Sequence, residues 1–226
     1  MKRAAALILI FFCAVCFTFA EDKIFYTDGP RTSKKIALTF DDGPGKATER
    51  ILEALKEKNV KATFFMVGIQ AEKNPNLAKK IFDAGHEIQS HTYSHMNFYK
   101  YAQEDKAEKM KEELLRAEKA IEENAGVKPY LVRFPYGYSR DDAKKTASEN
   151  GYKMINWSFG LDWVKKLDGE DVYKKYVSNI RSGAVFLIHD LNYNEAFLSF
   201  IGDFIDEIKS RGYELVTVSE MFGFNK

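Results

Sequence analysis

The sequence predicts an α/β fold in which parallel strands are wrapped by helices. Short apolar runs alternate with amphipathic segments from about residue 36 to residue 218, with no Pro/Gly-rich linker or repeat between them. Polar residues able to do chemistry recur where the apolar runs end, and in parallel α/β folds those carboxyl ends carry the site. The 226 residues include 34 Lys plus Arg, 33 Asp plus Glu and 45% hydrophobic residues, which excludes a disordered chain. A formal charge of +1 lacks the basic excess of a nucleic-acid binder, so no nucleic-acid partner is expected.

The first twenty residues read as a secretory signal peptide. Lys2 and Arg3 precede an apolar run over 4–15, and Thr18-Phe19-Ala20 offers small residues for cleavage near Ala20. The run is short for a membrane span, so contact with a membrane is expected only before cleavage. Cys13 and Cys16 both lie in this segment, so the exported chain is expected to fold without a disulfide. About 200 residues suffice for one domain that buries roughly 70% of its unfolded surface. The expected organisation is a signal peptide over 1–20, a polar lead-in over 21–34 and one domain over 35–226, secreted or retained in the periplasm or cell envelope.

Within the domain, residues 36–40 read as a buried strand that stops at Asp41-Asp42-Gly43-Pro44, and 48–58 as a helix. Strand 62–67 closes at Gly68, helix 76–84 follows, and 87–90 is a short strand. Met110, Leu114, Ala117 and Ile121 recur at helical spacing through 105–124, and Gly126 is the stop. Strand 130–134, helix 141–149, strand 154–159, helix 169–180 and strand 184–188 continue the alternation. Phe197, Ile201, Phe204, Ile205 and Ile208 mark the stripe of a last long helix, and 213–218 reads as the closing strand. Periodicity does not separate an open doubly wound sheet from a barrel. No Gly-rich phosphate loop is present, so a nucleotide cofactor has no support.

Five strand ends carry the polar groups: Asp41-Asp42, His91 with His95, Arg133, Asp162 and His189-Asp190. His91 and His95 are four apart, so one helical turn would aim both imidazoles at one cation. Two histidines plus one aspartate form a common open zinc set, in which the metal lowers the pKa of a water toward ~7. A second carboxylate at the Asp-Gly-Pro turn could take a proton from that water. The plainer alternatives are two solvent histidines and a capped turn. His86 has no partner at ligand spacing and reads as a structural histidine. Adjacent carboxylates argue against a glycosidase, whose pair must stand ~5–9 Å apart.

Thr39-Phe40-Asp41-Asp42-Gly43, Ser90-His91-Thr92-Tyr93-Ser94-His95, Arg133-Phe134-Pro135-Tyr136-Gly137, Asp162-Trp163 and Leu187-Ile188-His189-Asp190 resemble the five ordered motifs of the polysaccharide deacetylases. This is the NodB-type domain of carbohydrate esterase family four. The resemblance implies a distorted (β/α) barrel of about seven parallel strands and a metal-dependent N-deacetylase. Asp42, His91 and His95 would then hold a divalent metal, most plausibly Zn2+. Asp41 would be the general base and Arg133 its partner. Tyr136 would offer its backbone N–H to the oxyanion, and His189, paired with Asp162, would be the general acid. Leu187 would wall the acetyl methyl group and Trp163 would line the sugar groove, each readable also as ordinary packing.

One departure stands out: the family's fourth motif commonly has an Asp three positions before Asp162, and here that position is Phe159. Phe98, Tyr99 and Tyr101 suit sugar stacking or a local hydrophobic cluster equally. The expected substrate is the N-acetylglucosamine of peptidoglycan first and of chitin-like oligomers second, handled by a monomer. The alternatives are an O-acetyl esterase on another glycan and a non-catalytic glycan-binding protein on the same fold.

Overall fold

The computed structural model describes residues 23–164, 166–191 and 198–224. The signal-peptide reading, its two cysteines and the helical position of Phe197 lie outside the described residues. Nine strands form one parallel sheet: β1 (Phe25–Tyr26), β2 (Lys35–Asp41), β3 (Thr63–Met66), β4 (Glu87–Ser90), β5 (Leu131–Val132), β6 (Lys153–Ile155), β7 (Phe159–Gly160), β8 (Val185–His189) and β9 (Glu214–Leu215). The order is β1-β6-β5-β4-β3-β2-β8-β7, and β9 pairs with the start of β2. Every ladder is parallel.

Chain connectivity forces this sheet to curl. β6 and β7 lie six strand spacings apart along the sheet, about 29 Å if it were flat. Only residues 156–158 join Ile155 to Phe159, and four residue steps reach at most about 14 Å. The sheet therefore bends into a barrel, as the family resemblance implied and as periodicity could not decide.

The strand period of two sorts the side chains into an inside and an outside. On β2, Ile36, Leu38 and Phe40 join the outer core beneath the helices, while Ala37 points to the barrel interior with Phe65, Leu131, Ile155 and Val185. Thr39 and Asp41 share that inward parity. The helices covering the outside are α1 (Thr48–Glu57), α2 (Gly68–Lys73), α3 (Pro75–Asp83), α4 (Lys106–Ala125), α5 (Asp141–Glu149), α6 (Gly169–Ser178), α7 (Ile201–Ser210) and α8 (Val218–Phe222). In α4 the expected stripe of Met110, Leu114, Ala117 and Ile121 is buried, and Gly126 caps the helix at φ 76°. Among the described residues no helix is long and apolar enough to cross a membrane.

Four local readings change. The lead-in over 21–34 contributes a strand, because Phe25 and Tyr26 pair with Met154 and Ile155. The expected strand 154–159 is two strands, divided where the chain crosses the barrel mouth at Asn156 and Trp157. Gly68 opens α2 instead of only closing a strand. Residues 213–218 give a two-residue strand, and Val218 begins α8, because Thr217 and Glu220 form a reciprocal capping box.

The outer core predicts a measurable cost. Phe204 on α7 is fully buried, with ring centroids 5.1 Å from Phe186 and 5.6 Å from Tyr176. Phe204→Ala is expected to lower unfolding free energy by about 3–5 kcal/mol, read from urea denaturation. A loss below about 1 kcal/mol would mean that the site collapses around the deletion.

Candidate active site

The carboxyl ends of β2, β4, β5 and β8 converge on a cavity of about 420 Å³. It is lined by Asp41, Asp42, His91, His95, Tyr136, Trp157, Trp163, Leu187 and His189. Arg133 and Asp162 lie buried behind this lining. Every residue to which the family resemblance gave a role thus lines the pocket or lies behind it, whereas the aromatic candidates Phe98, Tyr99 and Tyr101 do not line it.

At its base stands a buried ion pair. Arg133 is fully buried inside the barrel, and its Nη1 donates to Asp41 Oδ1 at 2.6 Å and to Thr39 Oγ1 at 2.8 Å. Nε donates to the Ile155 carbonyl and Nη2 to the Asn156 carbonyl, while the guanidinium stacks 4.1 Å over Phe65. Burial lowers the Arg133 pKa and the adjacent Asp41 carboxyl opposes that fall.

Asp42 faces the histidines. His91 Nε2 and His95 Nε2 lie 3.3 and 3.0 Å from Asp42 Oδ1, and one ligand atom from each of the three residues falls within 4.8 Å of the others. Burial alone would raise the Asp42 carboxyl, but the two facing imidazoles hold it well below the usual carboxylate range. Asp42 Oδ1 is buried with no hydrogen bond. His91 Nδ1 is 2.6 Å from the Arg133 carbonyl; as donor there, it leaves the Nε2 lone pair toward Asp42. A lone carboxylate oxygen and two imidazole nitrogens converging on one point fit a divalent metal.

The route to this convergence differs from the expected helical turn. Residues 91–95 form a loop, and left-handed backbone at Thr92 (φ 64°) and His95 (φ 59°) folds the two imidazoles together. Asp42 (φ 75°) and Tyr136 (φ 60°) share that geometry, so four of the five non-glycine residues with positive φ sit at the pocket. Among the described residues that concentration marks a backbone held for the site rather than for the fold.

On the β8 side, Asp162 accepts the His189 backbone N–H at 2.7 Å and faces His189 Nδ1 at 2.9 Å. Burial opposes the imidazolium, but Asp162, with help from Asp41 and Asp42, pushes the His189 pKa up to about 9. Tyr176 braces the same corner, accepting the Leu161 N–H and donating to the Leu187 carbonyl. Trp163 stands edge-on to His189, and Tyr136 packs 5.0 Å from His95. Leu187 is 2% exposed at the cavity wall, where a Cβ on Gly160 would lie 2.9 Å from its own, so that approach requires glycine. Phe159 packs outward on Tyr176 and Phe186, and the His189–Asp162 pair stands without a carboxylate at that position.

Against the turn at Gly43, Asp190 is fully buried and accepts from Thr48 Oγ1. Burial and the nearby Asp42 and Asp41, against the Thr48 hydrogen bond, push it up to about 7. His86 lies outside the pocket against Phe64, and burial lowers it to about 4, in keeping with a structural histidine. Phe98 is buried against Tyr138, Phe134 and Tyr101, whereas Tyr99 remains exposed. Trp157 was not foreseen; its signal was inward parity two residues after Ile155.

Three residues able to hold a metal, a separate carboxylate and a histidine–aspartate pair thus meet at the mouth of a parallel barrel, an arrangement suited to hydrolysis. The polysaccharide deacetylase family model matches residues 28–155, and the chain belongs to that family. A peptidoglycan-N-acetylglucosamine deacetylase of Bacillus cereus is 36% identical over 200 residues, 86% of this chain and 91% of the relative. The PgdA deacetylase of Listeria monocytogenes is 35% identical over 85% of this chain, which spans 40% of that protein. Among solved structures, a peptidoglycan N-acetylglucosamine deacetylase in complex with an N-hydroxybenzamide superposes with a TM-score of 0.83 at 34% identity, covering 90% of this chain and 95% of that one. A family-four pseudoenzyme of Bacillus anthracis has a TM-score of 0.79 at 27% identity, covering 87% and 68%.

The His189–Asp162 pair sets an expected pH profile. With the folded pKa above the free-imidazole value near 6.5, the pair's stabilisation is complete below that value and fades as pH rises through about 9. Asp162→Asn is expected to move the basic limb of the kcat/KM profile down toward ~6.5 and to slow the enzyme at pH 8. An unchanged basic limb would remove His189 as the titrating acid.

Proposed function

We propose that the chain is a metal-dependent deacetylase that hydrolyses the N-acetyl group of N-acetylglucosamine units in peptidoglycan. The observation carrying this reading is one pocket in which three residues able to hold a metal stand beside a second carboxylate, Asp41, whose Oδ1 is held by Arg133 and whose Oδ2 lies 3.7 Å from His91 Nε2. The choice of glycan is supported by the Bacillus cereus and Listeria relatives, which are peptidoglycan deacetylases. Chitin-like oligomers are the next substrate class.

Asp42, His91 and His95 would hold the metal, and zinc suits two imidazoles with one carboxylate. When bound, the metal would supply Lewis acidity toward a carbonyl oxygen and would lower the pKa of water toward ~7. Asp41 accepts the proton of the attacking water, and Arg133 fixes the carboxylate that does so. The Tyr136 backbone N–H stabilises the oxyanion. His189, as an imidazolium oriented by Asp162, gives a proton to the departing glucosamine nitrogen. Leu187 bounds the acetyl methyl and Trp163 offers its ring to the sugar. We further propose that residues 1–20 direct export with cleavage near Ala20. A monomer whose domain begins at β1 would then act in the cell envelope or outside the cell.

The test is acetate release from N-acetylglucosamine oligomers and from peptidoglycan, with added zinc and after chelation. Release is expected to depend on zinc and to be lost in Asp42→Ala. Asp41→Asn is expected to lower kcat by about 10²–10⁴-fold while retaining metal. Stoichiometric metal without acetate release from any N-acetylated glycan would overturn the reading and favour an O-acetyl ester or a binding role.

A further inference from the structure

We infer that Glu113, on α4, is a positioning residue for the metal centre, holding the backbone between the two histidine ligands in the left-handed conformation that aims both imidazoles at Asp42. The inference rests on the reading of Asp42, His91 and His95 as ligands. Glu113 is 1% exposed and lies on the otherwise apolar stripe of α4, between Met110 and Leu114. An acidic side chain in that position needs donors, since burying an unpartnered carboxylate is costly.

The donors are the ligand loop itself. Glu113 Oε2 accepts the Tyr93 N–H at 3.1 Å and the Ser94 N–H at 2.7 Å, and Oε1 accepts the Ser94 hydroxyl at 2.7 Å. The carbonyls of the same loop are gripped from the other side. Gly68 N–H donates to Thr92 O and Ile69 N–H to Tyr93 O, both from the first turn of α2. Gly68 allows that approach, because a Cβ there would lie 2.7 Å from the Tyr93 ring. Arg116, three residues beyond Glu113, stacks 3.8 Å over Tyr93. The loop thus has its N–H groups fixed by α4 and its carbonyls by α2. Thr92 and His95 adopt a backbone that L-residues disfavour, so releasing the N–H side frees the imidazoles to diverge.

The test compares cobalt(II) and zinc dissociation constants of the full chain, by chelator competition, for the parent, Glu113→Ala, Glu113→Asp and Glu113→Gln. Glu113→Ala is expected to weaken binding by about 10–100-fold and to alter the cobalt visible spectrum. Glu113→Asp, too short to reach both amides, is expected to do the same in part, and remains informative if the alanine variant does not fold. Glu113→Gln keeps a carbonyl for the two amides and an amide donor for Ser94 Oγ, and is expected to restore affinity and spectrum. A purely structural role would lower the melting temperature of the metal-free variants and leave the dissociation constants of the folded protein unchanged. Parental affinity and spectrum in folded Glu113→Ala or Glu113→Asp would overturn the inference. Failure of the parent itself to bind metal would instead remove the metal centre, and the inference with it.

Discussion

The structure is organised around one arginine that cannot leave the barrel. Arg133 enters from β5 and spans the interior to reach Thr39 and Asp41 on β2, while its other nitrogens satisfy the carbonyls of Ile155 and Asn156, where β6 ends. A fully buried cation is tolerated only with a charge partner and saturated donors, and Arg133 has both. Removing one member of such a pair strands the other and costs about 3–5 kcal/mol, so the position of Asp41 and the tie between β5, β2 and the end of β6 depend on the same side chain. The His91 imidazole is tied to it as well, through the Arg133 carbonyl.

From that contact the site divides its acids and bases by environment. Asp41 and Asp42 are neighbours in sequence, yet Asp41 points inward to a guanidinium and Asp42 turns, at φ 75°, toward two imidazoles. In the proposed reaction the first would handle a proton and the second would hold a cation. His189 stands opposite Asp41 in the parallel register of β2 and β8, where the Asp190 N–H donates to the Asp41 carbonyl, and Asp162 lifts the imidazole to about 9. Three aspartates in similar burial thus acquire different tasks from their partners.

Much of this was legible in the sequence, for a physical reason. Strand-end chemistry combines with short buried strands, so Asp41, Asp42, His91, Arg133, Asp162 and His189 could be found where apolar runs stop. The helix over 106–125 was legible because its stripe repeats from Met110 through Ile121. What failed was local and geometric. The His91–His95 spacing suggested a helical turn, whereas two left-handed residues do the work, and φ leaves little trace in residue types such as Thr and His. The split of 154–159 depends on barrel closure, a non-local constraint. Glu113 was hidden because a charge on an apolar stripe reads as noise until its partners are known.

The likeness to a family-four pseudoenzyme makes retention of chemistry a question of individual residues, since the fold alone does not decide it. In this chain Asp41, Asp42, His91, His95 and His189 all line one pocket, and Arg133 holds Asp41. The proposed service of Arg133 to catalysis, through Asp41, is read from the kcat of the Arg133→Lys/Asp41→Asn double variant beside each single variant. Lysine keeps the charge but not the planar fork. Arg133→Lys is expected to lower kcat with little change in KM or bound metal, and the double variant to be no slower than Asp41→Asn alone. Losses that multiply in the double variant would contradict that proposal and assign Arg133 a separate role.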